Sequence, residues 1–190
     1  MHISKGKITI YAISARALIV RAMMACALMI CVAMMGALPV RADENSPNRL
    51  KAAIMFNILR FVSFPSNDVG QPLRLCVDRN EGAGRELALL HGRHVGDRTV
   101  EVRLLDFALV GGGGCDIAYL GDGSAASIAR LSQRGRLLVG DGPGFINGGG
   151  TIGLVRFGNQ IRFEINARAA RQSGVSISSK LMRLAARVQS

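Results

Sequence analysis

The chain has 190 residues, with 24 Lys and Arg against 13 Asp and Glu, four cysteines and no tryptophan. Its first 42 residues hold five basic side chains and no acidic one; setting them aside leaves 148 residues with 19 basic and 13 acidic groups. That length supports one core in one domain, and a surplus of +6 without a dense basic cluster argues against a nucleic-acid partner.

Lys5, Lys7, Arg16 and Arg21 precede an apolar run from Ala25 to Val40, the length of an export-signal core and short for a membrane span. Val40-Arg41-Ala42 then ends on a small residue before Asp43-Glu44-Asn45. The pattern predicts a signal peptide over 1–42, cleavage after Ala42 and a mature chain in the periplasm. An uncleaved anchor is the competing reading, because Ala17 to Val40 is apolar apart from Arg21.

Leu50 to Phe64 has helical character and stops before Pro65, whose ring disfavours α geometry in the preceding residue. Its polar positions Asn57, Arg60 and Ser63 form one narrow stripe, so the helix must be covered on more than one side. Met55, Phe56 and Leu59 are apolar where a one-sided helix would be polar; they are the candidate interface with a partner or in a homodimer. Leu73 to Val77 reads as a strand, Arg85 to Leu90 as a short helix, and Thr99 to Leu105 as a second strand. After the loop Gly111 to Gly114, Cys115 to Leu120 makes a third strand. Ser124 caps a helix to Gln133, and Leu137 to Val139 makes a fourth strand.

The alternation implies an α/β, Rossmann-like, largely parallel sheet flanked by helices. Ile152 to Phe157 and Gln160 to Ile165, separated by Gly158-Asn159, read as an antiparallel C-terminal hairpin. Asn166 caps a helix from Ala167 to Gln172 that Gly174 ends, and Ser178 or Ser179 begins a last helix to Val188.

Little in this chain resembles catalytic machinery. The mature segment carries only His91 and His94 as near-neutral titrators, in the turn-like HGRHVGD, with Asp97 the one carboxylate in that stretch, which does not make a metal site. The glycine clusters lack the lysine and hydroxyl of a phosphate loop, and no cofactor is called for. Cys26 and Cys31 lie in the export segment, so Cys76 and Cys115 remain; in an oxidising compartment such a pair reads as a disulfide. The most unusual stretch is Asp141-Gly142-Pro143-Gly144-Phe145, followed by Gly148 to Gly150, which displays Phe145 on a loop.

Three stretches together resemble the YfiR-like family, also called DUF4154. They are Lys51 to Pro65, Val139 to Gly153 and Arg162-Phe163-Glu164-Ile165-Asn166 onward to Ala185. The resemblance implies a periplasmic, non-enzymatic repressor that binds the periplasmic sensor region of an inner-membrane diguanylate cyclase and lowers cyclic-di-GMP. It also implies a stabilising Cys76–Cys115 bridge; a second bridge present in some members has no counterpart here. The other function class is a small-molecule-binding module that signals to a membrane receptor or histidine kinase.

Overall fold

The computed structural model of the protein describes residues 46–65 and 70–190, with Met24 alone before them. The chain divides into two units, Met1–Ala42 and Asp43–Ser190, and the fold belongs to the second. The expected export segment lies outside the described residues.

Helix α1 spans Pro47–Leu59, with Pro47 in the first turn, where a missing N–H removes no helical hydrogen bond. It ends at Leu59 and not at Phe64, because Val62–Ser63 leaves as β1 to pair antiparallel with β9, Ser176–Ile177. Strand β2 (Leu73–Asp78) and helix α2 (Gly84–Ala88) follow. His94–Val95, read from sequence as a turn, is strand β3, in a tight antiparallel pair with β4 (Arg98–Leu105).

Strand β5 covers Ile117–Tyr119, α3 Ala125–Leu131 and β6 Leu137–Asp141. The hairpin β7 (Ile152–Phe157) and β8 (Gln160–Asn166) forms as its pattern predicts, with Phe157 opposite Gln160. Helix α4 is Ala167–Ser173 and α5 is Ser179–Leu184. Side chains of Ser124, Asn166 and Ser178 accept from the N–H groups of Ser127, Ala169 and Leu181, which fixes the starts of α3, α4 and α5. The last helix stops at Leu184 because Arg187–Gln189 becomes β10, parallel to β8, where Arg187 forks onto the Glu164 carboxylate at 2.8 and 3.0 Å.

The eight-stranded sheet runs β10-β8-β7-β6-β5-β2-β4-β3, with β4, β2, β5, β6 and β7 mutually parallel. Side chains alternate between its two faces. Leu75, Val77, Ile117, Tyr119, Leu137 and Val139 join Met55, Ile58 and Leu59 of α1 in the larger core. Cys76, Ala118 and Leu138 face the other way, against Phe107, Ile128, Leu131 and Phe145. Both faces are covered, which is why Leu75 to Val77, Ile117 to Tyr119 and Leu137 to Val139 are buried without interruption.

The chain goes from β2 outward to β4, then returns to β5 on the other side of β2. The order reverses there, and the carboxyl ends of β2 and β5 border the crevice where open α/β sheets place ligands.

Candidate functional site

One group of polar residues that the fold gathers lies along this carboxyl edge. Asp141 ends β6, and its Oδ2 accepts from Lys51 Nζ of α1 at 2.5 Å and from the Tyr119 hydroxyl, at the end of β5, at 2.8 Å. Its Oδ1 is buried and meets no hydrogen-bond donor among the described residues. Burial, then the Asp141 charge and hydrogen bond, holds the Tyr119 phenol far above its ordinary range. Tyr119 therefore stays protonated and donates to Asp141 at physiological pH.

Glu81, in the turn after β2, stands against Gly121: a Cβ on that glycine would fall 1.9 Å from the carboxyl of Glu81. Desolvation raises the Glu81 pKa, with further contributions from Asp141, Asp122 and Asp78 that Lys51 partly opposes. The edge thus carries one cation among several carboxylates, and Lys51–Asp141 with Tyr119 ties α1 to the two central strands.

The motif Asp141-Gly142-Pro143-Gly144-Phe145 has a structural role beyond its carboxylate. Phe145 is not displayed on the loop, as its surroundings in sequence suggest, but turns inward and is only 3% exposed. Its ring is wedged between two glycines: a Cβ on Gly140 or on Gly150 would lie 2.1 Å from ring carbons. Side chains at those two positions would occupy the ring's space, so the glycines exist for close packing.

Met55 and Leu59 are not at a surface. They are 0% and 1% exposed inside the domain's own core, because the underside of α1 rests on the sheet, and this corrects the expectation that they form an interface. Phe56 is half-buried, with the Arg93 guanidinium 4.6 Å from its ring centroid.

In the C-terminal motif, Glu164 holds β10 through Arg187 and Phe163 packs partly against the core, while Arg162 is exposed. Asn166 caps α4 and donates from Nδ2 to the Ile146 carbonyl at 2.9 Å, which ties the glycine-rich loop to the hairpin.

Cys76 and Cys115 form a disulfide with Cα atoms 5.8 Å apart. The parallel register sets Cys76 opposite Ala118, and Cys115 reaches it from the loop before β5. The third strand accordingly starts at Ile117 and not at Cys115. The two histidines do not converge on a ligand: His91 Nδ1 accepts from the Val102 N–H at 3.2 Å, and His94 pairs with Thr99 across the β3–β4 ladder. Among the described residues no three His, Cys, Asp or Glu side chains are placed so that they could hold one metal ion.

Sequence reasoning missed Arg136, which is 1% exposed and donates to the carbonyls of Cys115, Leu131 and Gly112, holding the glycine loop over the bridge. Its one local signal is a charge set directly before the buried run Leu137 to Val139.

A family model described as YfiR/HmsC-like, DUF4154, matches residues 48–186. No curated protein sequence gives a significant match. A solved structure described as the ABC domain in complex with L-Trp from Streptococcus pneumonia is similar over 72% of this chain, with 10% identity and a TM-score of 0.49. The chain spans 60% of the length of that structure's chain. Among the described residues, no helix is long and apolar enough to cross a membrane.

Proposed function

The chain belongs to the YfiR/HmsC-like family, and on that premise we propose that it binds the periplasmic sensor region of an inner-membrane diguanylate cyclase and holds it inactive. The match over residues 48–186, nearly the whole of the second unit, carries this reading. In the same proposal residues 1–42 direct export and are removed, and the Cys76–Cys115 bridge suits an oxidising compartment.

The chemistry of the carboxyl edge supports a binding role. Asp141 is saturated on one oxygen by Lys51 and Tyr119, and Tyr119 stays protonated. These groups lock α1 to the sheet, so that the surface of the helix is presented in a fixed orientation.

The second reading, a small-molecule-binding module that signals to a membrane receptor or histidine kinase, is favoured by one observation. The unpartnered Asp141 Oδ1 lies at the sheet edge where such folds take ligands.

Deletion of the gene tests the proposal. Cellular cyclic-di-GMP should rise, and removal of one membrane cyclase in the same strain should abolish the rise. A rise that survives the loss of every cyclase with a periplasmic region would refute it.

A further inference from the structure

The second unit leaves an apolar groove open along α1, between that helix, β8 and α5. It consists of two adjoining hollows of about 230 and 560 Å3 that share Ile161. Ile54, Phe61, Phe163 and Leu184 line the first, and Leu50 lines the second. Leu184 is 58% and Leu50 44% exposed. Apolar side chains held open to water along two adjoining hollows mark a surface that another molecule covers.

The margin of the groove is cationic. Arg49 and Arg156 line the wider hollow and Arg162 the narrower, while Lys180 Nζ lies 5.5 Å from the Phe61 ring centroid. Among the described residues no carboxylate lines either hollow, and the three arginines make no ion pair with any of them.

These charges decide what fits. Residues 1–42, with five basic groups and no acidic one, offer no charge complementary to such a margin. A second copy seated groove to groove would set the same arginines against one another. The bordering helix has 13 residues, a length of about 20 Å at 1.5 Å per residue.

We propose that this groove receives an amphipathic helix of the membrane partner, about three turns long, with its apolar stripe on Ile54, Phe61, Ile161 and Leu184 and acidic residues along its flanks facing Arg49 and Arg156. The proposal rests on the partner-binding reading above and identifies the surface that reading uses. Such helix-in-groove recognition is read through apolar anchors at i, i+3, i+4 and i+7.

The test uses the chain purified from the periplasm and a fluorescent 14-residue helical peptide with leucines at i, i+3, i+4 and i+7 and flanking glutamates. A twin peptide carries lysines in place of the glutamates. The glutamate peptide should bind at least tenfold more tightly than the twin, and less tightly as salt rises. Leu184→Asp and Arg156→Glu, both at exposed positions, should each weaken binding at least fivefold while the melting temperature stays at the wild-type value.

Equal binding of the two peptides, or binding indifferent to both substitutions, overturns the proposal. So does a wild-type dimer in light scattering that Leu184→Asp splits, which assigns the groove to a second copy. Binding to anionic vesicles that Leu184→Asp abolishes, without peptide binding, assigns it to a membrane surface and likewise overturns it. In cells, a folded Leu184→Asp chain that still lowers cyclic-di-GMP fully sinks the groove and leaves the regulator reading intact. A gene deletion without effect on cyclic-di-GMP sinks that reading, and the peptide measurement then decides the groove alone.

Discussion

Lys51 on α1 and Asp141 at the end of β6 stand 90 residues apart in the chain and 2.5 Å apart in the fold. The contact joins the first helix physically to the end of the fourth strand of the parallel run, β6. Asp141 is largely enclosed and its Oδ1 has no partner among the described residues, so the Lys51 ammonium and the Tyr119 hydroxyl are its side-chain partners there.

Lys51→Met should therefore destabilise the protein by about 2 kcal/mol, less than the cost of breaking a fully buried pair because Lys51 is partly solvated. Tyr119→Phe should cost about 1 kcal/mol, the value of one hydrogen bond. Urea denaturation of both variants checks the order. A Lys51→Met chain as stable as wild type would mean that the pair holds nothing together.

The Phe145 ring between Gly140 and Gly150 gives a test by compensation. Gly150→Ala should destabilise by about 2 kcal/mol, since the new methyl meets the ring and a closed core has little room to give. Adding Phe145→Leu, which removes the ring edge, should recover part of that loss. Strictly additive losses in the double variant would show that the methyl and the ring do not compete for the same space.

The Cys76–Cys115 bridge closes a 39-residue separation, for which the chain-entropy model gives roughly 4 kcal/mol. Reduction, or the double change Cys76→Ala and Cys115→Ala, should lower the urea midpoint substantially with little change in far-ultraviolet dichroism. An unchanged midpoint would remove the bridge from the stability of this domain.

Much of this fold is legible in the residues. The caps Ser124, Asn166 and Ser178, the Gly158-Asn159 turn and the apolar runs of β2, β5 and β6 each carry their structure locally. Two segments mislead for one reason. Val62–Ser63 and Arg187–Gln189 continue helical patterns, yet become strands because partners distant in sequence, β9 and β8, supply their hydrogen bonds. The apolar circumference of α1 correctly signals cover on several sides. What sequence does not reveal is that Met55 and Leu59 meet the sheet while Ile54 and Phe61 reach the open groove. Asp141 stands out in its motif, but its partners Lys51 and Tyr119 become evident only once α1 and β5 are placed beside β6.

Glu81 predicts a pH dependence. Its pKa is raised in the folded state, so the ionised carboxylate is penalised there relative to the unfolded chain. That penalty is present above the folded pKa and vanishes as pH falls below the ordinary carboxylate range. Glu81→Gln should accordingly raise the melting temperature by about 2 °C at pH 7 and leave it unchanged near pH 3. A gain of equal size at both pH values would assign the effect to something other than charge.

Repression of a membrane cyclase from the periplasm requires that the chain act only after export. In a deletion strain, cyclic-di-GMP should be quantified after complementation with the full chain, with the chain lacking residues 1–42, and with that shortened chain behind an unrelated export signal. The full chain and the re-exported chain should both return cyclic-di-GMP to the wild-type level, while the unexported chain should leave it high. Restoration by the unexported chain, or no change on deletion while the cyclase is expressed, would contradict repression of a membrane cyclase from the periplasm.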